Sequence, residues 1–274
     1  MKRIVIAGGT GYLGQILVQY FNSLNYECVI LTRQRQRLSE NVRFVEWDAK
    51  SLGTWVQELE DAETLINLTG KSVNCRYNAQ NRLAIFNSRQ LATLVLGEAI
   101  LQCKNPPKVW INSSSATIYR HAQDRPMDEE TGELGEGFSV EVCKLWEHTF
   151  NGFSLPKTRK VLLRSALVLG NSGGVFPEFT KLVQMGLGGK MGSGEQMVSW
   201  IHELDFIRAT HFLIENKTCS GIFNLAAPIA LTNSDMMFIL RRNMKIRFGL
   251  SSTFWMLKVG TWLKQTETEL VLKS

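Results

Sequence analysis

Directly after the apolar run IVIA stands Gly8-Gly9-Thr10-Gly11-Tyr12-Leu13-Gly14, and directly after that comes the helix-spaced run QILVQYF. A glycine turn in this context can hold a phosphate. Gly8 permits the tight turn, Gly11 lets the backbone approach a pyrophosphate, and Gly14 lets the helix pack closely on the strand. The helix N-terminus and its dipole then face the anion. The turn residues Gly8, Thr10, Gly11, Tyr12, Leu13 and Gly14 are thus the first candidate contacts of a dinucleotide. The end of the next strand reads the ribose. Here CVILT runs into Arg33-Gln34-Arg35 with no carboxylate for a free 2′-hydroxyl. Arg33 can grip a 2′-phosphate through paired charge-assisted hydrogen bonds and Thr32 can add a hydroxyl, so NADP(H) is expected over NAD(H). Asp48, after the third strand, suits either the adenine side or a plain turn. Further along, the segment 188–199 combines Lys190, Gln196 and several glycines beside Trp200. That mixture could close over a polar or phosphate-bearing substrate, or be an ordinary loop. His202, at the start of a helix, is a titratable candidate and equally a structural one.

These residues need a scaffold, and the apolar periodicity supplies one. Short β-branched runs at 3–7, 28–31, 42–47, 64–67, 109–112 and 161–167 read as strands. Helix-spaced patterns lie between them at 11–24, 52–59, 81–103 and 138–150. This alternation predicts an α/β fold of the Rossmann type, a doubly wound parallel sheet covered on both faces. It places a dinucleotide-binding domain over 1–170, with sheet contributions continuing to about residue 225, and a smaller C-terminal α/β substrate lobe over 171–274. That lobe should hold a helix at 202–215, a strand at 222–225 and two apolar helical stretches. The Asp124 to Glu136 segment, acidic and glycine-containing, reads as an exposed loop near the site mouth.

With 274 residues and 44% hydrophobic content the chain can bury a sizeable core, which argues against disorder. The net charge of +6 comes from 31 basic residues scattered among 25 acidic ones, so no nucleic acid partner is expected. Cys28, Cys75, Cys103, Cys143 and Cys219 lie far apart with no ligand spacing, as expected of reduced cytoplasmic thiols with no metal. The opening apolar run is too short for a signal peptide. Residues 250–263 are apolar but interrupted by Lys258 and fall short of the roughly 20 a membrane span needs, so a packed amphipathic helix is expected and no membrane.

Several motifs carry a family resemblance: AGGTGYLG, the LTR ending of the second strand, NLTGKS, NSR and SSSATIY. Together they resemble extended short-chain dehydrogenase/reductases. CKLWE, LRSALVLGNSGG and LGGKMGSGEQMVSWIHELD narrow this to the atypical subfamily of nucleoside-diphosphate-sugar epimerases, in order along nearly the whole chain. The resemblance implies Thr32 and Arg33 at the 2′-phosphate, Leu68 and Thr69 along the adenine and ribose side, and Arg89 and Val168 against the cofactor. It also implies a small-molecule substrate and a possible homodimer through the helices at 81–103 and 138–150. Members usually continue past TELVLKS, so part of the C-terminal lobe is expected to be missing and the substrate side partly open.

In the superfamily a Ser holds the substrate hydroxyl, a Tyr exchanges its proton and a Lys four residues later supports that Tyr. Ser115 matches the serine, with Ser114 as the adjacent option, and Lys144 matches the lysine. Val140 stands where the tyrosine would be, so the Y-x-x-x-K pair is broken. Tyr119, four residues after Ser115, is a substitute acid/base or simply a packed ring. Two functions follow: an NADP(H)-dependent oxidoreductase or epimerase, or a regulator that binds NADP(H) and turns over nothing.

Overall fold

The computed structural model describes residues 1–33 and 42–253. The chain opens with β1 (Arg3–Ala7), α1 (Tyr12–Ser23) and β2 (Glu27–Thr32), then β3 (Val42–Glu46), a 3-10 turn over Thr54–Leu59 and β4 (Thr64–Asn67). There follow the long helix α2 (Ala79–Gln102), β5 (Val109–Ser115), a short 3-10 turn over Ala116–Ile118, α3 (Phe138–Asn151) and β6 (Arg159–Ser165). The remainder is built from β7 (Leu167–Gly170), β8 (Gly173–Gly174), α4 (Phe176–Gln184), β9 (Met197–Val198), β10 (Trp200–His202), α5 (Glu203–Glu215), β11 (Gly221–Leu225), β12 (Leu231–Thr232) and α6 (Asn233–Asn243).

Seven strands form one parallel sheet in the order β11-β6-β5-β4-β1-β2-β3. Alternation along each strand feeds two cores. On one face Ile4, Ile6, Ile111 and Leu163 pack against Leu17 and Phe21 of α1 and Phe206 of α5. On the other, Val5, Leu65, Trp110 and Leu162 pack against Val95, Leu96 and Ala99 of α2. Both faces are covered, which is why the strands read as near-continuous apolar runs. The order reverses between β1 and β4, and in open sheets of this kind ligands bind at the carboxyl ends of the strands at such a reversal. A separate small cluster of Val183, Met191 and Met237, with Phe179 and Leu240 against it, joins α4 to α6.

The expected strands and long helices of the first two-thirds are present, with two differences. The helix expected at 52–59 is only the 3-10 turn, since Gly53 precedes it and too few residues remain to propagate an α-helix. The strand expected at 161–167 breaks at Ala166, whose N–H is taken by the Leu225 carbonyl. The chain then leaves the main sheet, and β7 pairs with β10 and β8 in a second one. The helix expected from residue 202 starts at Glu203, with His202 as its cap. Short β8, β9 and β12 carried no periodicity to read, and α4 went unread as well. Most of the helix expected at 250–263 lies outside the described residues, and its part up to Thr253 is not helical.

Candidate active site

The glycine turn bridges β1 and α1 at the strand-order reversal. Gly8 has φ +78, and a Cβ there would stand 3.0 Å from the Leu68 carbonyl carbon and the Thr69 nitrogen. A Cβ on Gly14 would overlap Gly9. Only the Gly8 oxygen, at 3.6 Å, lies near the corresponding position on Gly11, so that side of the turn is open. Gly11 caps α1 without a side-chain hydrogen bond, so the first-turn N–H groups are left for a ligand. Thr10 offers its carbonyl to Gln15 Nε2 at 3.0 Å. Leu13 and Leu68 pack on the apolar core beneath, and Val168 belongs to that core.

Across the reversal, Thr69 N–H donates to Asn67 Oδ1 at 3.0 Å, while the Thr69 hydroxyl is buried without a partner among the described residues. Thr32 is buried at the end of β2, and Arg33 next to it is exposed with no hydrogen bond or ion pair to any described residue. Asp48 is a turn former: its Oδ1 accepts the Lys50 and Ser51 N–H groups, both at 2.8 Å, and these hold its carboxyl below the usual range. Arg89 Nη1 donates to the Lys71 and Ile85 carbonyls, each at 3.2 Å, and its guanidinium lies 5.1 Å from the Trp146 ring. Burial without a carboxylate partner pulls its pKa down.

The catalytic candidates divide between the two faces of β5. Ser115 Oγ caps the short 3-10 turn, lying 2.8 Å from Thr117 Oγ1 and accepting the Thr117 N–H at 3.2 Å. Ser114 faces the other way and donates to Glu147 Oε1 at 2.6 Å. Glu147 is in a buried ion pair with Arg164, with Nε to Oε1 at 2.9 Å and Nη2 to Oε2 at 2.8 Å. Arg164 Nη1 also donates to the Tyr119 hydroxyl at 2.8 Å, which in turn donates to Asn224 Oδ1 at 2.9 Å. Burial works against the Arg164 charge, but its bonds to Glu147 and Tyr119 prevail and hold the guanidinium above its ordinary range. Tyr119 is thus packed with both hydroxyl functions engaged, whereas Ser115 is half-buried at the carboxyl end of β5. Lys144 Nζ donates to the Gly135 carbonyl at 3.0 Å, and Val140 is buried beside Ile118, Tyr119 and Cys143. Burial pushes the Cys143 thiol up to about 11, so it is no thiolate nucleophile at neutral pH.

Of the substrate-side candidates, Gln196 and His202 have their own partners. Buried Gln196 donates to the Met191 carbonyl at 3.0 Å and so braces its loop. His202 Nδ1 accepts the Leu204 N–H at 3.2 Å as the cap of α5. Trp200 Nε1 is buried without a hydrogen-bond partner. Gln123, just before the 124–136 loop, donates from Nε2 to the Glu195 carbonyl of the glycine-rich segment at 3.0 Å. Sequence reasoning missed Glu147, Arg164 and Asn224. The first two lie inside motifs that carried the resemblance, but their pairing across three elements leaves no local signal.

The family model for the NAD dependent epimerase/dehydratase family matches residues 4–226. The chain belongs to this family. Among members of known sequence, an epimerase family protein of Staphylococcus saprophyticus is 36% identical over 84% of this chain and 76% of its own. One from Staphylococcus aureus is 34% identical over 89% of this chain and 81% of its own. Among solved structures, a human epimerase family protein crystallised with NADPH matches with a TM-score of 0.87 at 24% identity, over 99% of this chain and 89% of that one. The UDP-N-acetylglucosamine 4-epimerase of Bacillus cereus matches with a TM-score of 0.75 at 20% identity, over 92% and 86%. These structures share the Rossmann-type fold of this epimerase/dehydratase family member.

Proposed function

We propose that this protein is an NADP(H)-dependent oxidoreductase or epimerase of the cytoplasm, acting on a small molecule of the nucleoside-diphosphate-sugar class. The observation that carries the reading is the pairing of an uncapped, open glycine turn with Arg33, a guanidinium without a described partner one strand away. The donor set fits the group. Tyr12 and Leu13 would offer N–H groups to the pyrophosphate, Gly11, whose own N–H closes the turn onto the Gly8 carbonyl, would let it approach, the Thr69 hydroxyl would meet a ribose, and Thr32 and Arg33 would hold the 2′-phosphate. Val168 and Arg89 would flank the cofactor from the far side. The NADPH of the human relative is in line with this preference.

When bound, the nicotinamide would take or return hydride at a carbinol carbon. Ser115 would orient the carbinol oxygen at the carboxyl end of β5, with Lys144 nearby on α3 and Ser114 fixed behind it. Segment 171–274 would form the substrate lobe, with Gln196 bracing its loop and Trp200 and His202 on the strand facing the crevice. Calorimetric titration with NADPH and NADH tests the cofactor. NADPH should bind more tightly, and Arg33→Asp should weaken NADPH selectively, by about tenfold for loss of a charge-assisted contact plus the added repulsion. Equal binding of both dinucleotides, or none, would sink the assignment.

The second reading, a regulator that senses NADP(H) without turnover, is favoured by buried Val140 and by the engaged hydroxyl of Tyr119. Ser115→Ala separates the two. On the enzyme reading it removes NADPH-linked turnover of nucleoside-diphosphate sugars while calorimetric NADPH affinity stays intact. Unchanged turnover in the variant would remove Ser115 from the mechanism, and no turnover by the unaltered chain would favour the sensor.

A further inference from the structure

Tyr12 opens α1 with its backbone, yet its side chain runs away from the turn into a socket of three glycines on the β7–β8 hairpin. A Cβ on Gly173 would stand 2.7 Å from Tyr12 Cδ2, and one on Gly174 3.0 Å from Cε1. A Cβ on Gly170 would overlap both the Tyr12 hydroxyl and the Glu203 carboxylate. Within this socket the Tyr12 hydroxyl donates to Glu203 Oε2 at 2.8 Å. Burial and the neighbouring carboxylate push the phenol well up, so it remains a donor throughout the neutral range. Glu203 sits in the first turn of α5, where the helix dipole favours its negative charge. The strand before it, β10, pairs with β7, so hairpin, strand and helix present one continuous clasp to the first turn of α1.

We infer that Glu203 is a positioning residue for the phosphate-binding turn. Acting through Tyr12, it fixes the direction of the N–H groups of Tyr12 and Leu13 before any dinucleotide arrives. The inference rests on the reading of that turn as the pyrophosphate site. Its physical content is preorganisation: a turn already held in its binding geometry is spared the cost of ordering on association. The three glycines of the hairpin have the same purpose, since any side chain at Gly170 would expel one partner of the clasp.

The test titrates the full chain calorimetrically with two ligands. NADPH engages the turn, while adenosine 2′-monophosphate carries the phosphate that Arg33 would hold but no pyrophosphate. Glu203→Ala and Tyr12→Phe should each weaken NADPH about fivefold and leave adenosine 2′-monophosphate unchanged. Glu203→Gln, whose amide oxygen still accepts from the phenol, should restore most of the loss. Gly170→Ala, which wedges the clasp from the hairpin side without altering either group, should reproduce the loss. A contact that only stabilises the fold would lower the unfolding temperature without this ligand selectivity. NADPH affinity within about twofold of the unaltered chain in Glu203→Ala, or equal losses for both ligands, would overturn the inference alone. Absence of NADPH binding by the unaltered chain would overturn the dinucleotide reading and this inference with it.

Discussion

The chemistry of single residues here depends on which face of a strand they occupy. Ser114 and Ser115 are neighbours, yet alternation sends one hydroxyl to Glu147 and the other to Thr117 on the opposite face. Behind Ser114, the Glu147–Arg164 pair is almost wholly removed from water, with side chains 8% and 7% exposed. Such a pair is costly to break, because removing one member strands the other charge in the interior. Glu147→Ala should therefore destabilise the protein by about 3–5 kcal/mol, read as a shift in urea midpoint, and should loosen Tyr119 as well. Replacement of both by apolar residues of similar volume should cost far less. A single variant that unfolds like the unaltered chain would show that the pair is solvated.

At the scale of elements, strands β1, β2 and β3 are tied together at one end by charges. Glu27 on β2 bonds Arg3 on β1 at 3.0 Å and Arg43 on β3 at 3.0 Å, and Arg43 continues to Glu58. Burial alone would raise the Glu27 pKa, but the two guanidinium groups prevail and hold it below the ordinary value. A carboxyl with a depressed folded-state pKa stabilises the fold above its unfolded pKa and loses that contribution as pH falls toward the folded one. Stability should thus begin to drop as pH passes below the ordinary glutamate value of 4.5. Glu27→Gln should flatten the acid limb of a plot of unfolding free energy against pH. An identical acid limb in the variant would remove Glu27 from the account. The element boundaries themselves were legible where burial imposed a period. The strand of IVIA and the helix after it, and the long α2, all stand within a few residues of where apolar spacing put them. The 3-10 turn at Thr54–Leu59 was misread because six residues are too few for spacing to separate it from an α-helix. The break at Ala166 was unreadable because no Gly or Pro interrupts LRSALVL, and the division is made by the bond that the Ala166 N–H donates to the distant Leu225 carbonyl.

For the whole molecule, the open question is association. On α2, Leu83 is 60% and Leu101 59% exposed, apolar side chains on the helix for which a homodimer contact is proposed. Light scattering should report a mass near twice the 31.0 kDa of one chain, and Leu83→Asp should shift it toward one. A monomer in both cases would reject the α2 interface.

The sequence by itself determined the scaffold and the glycine turn between β1 and α1, because both are written locally. Glycines at fixed spacing, a strand before them and a helix after them are all neighbours in the chain, and Arg33 follows at the end of the next strand. Only the tertiary structure decided what the other polar residues do. Tyr119 was open to reading as an acid/base or as a packed ring, and Arg164 and Asn224, 45 and 105 positions away, hold its hydroxyl in the packed arrangement. Tyr12 was read as a candidate dinucleotide contact, with nothing in its surroundings to point to Glu203, 191 positions away, which accepts from its hydroxyl. A hydrogen bond is satisfied by proximity in space, and no residue's own neighbours in the chain record which distant partner the fold will bring to it.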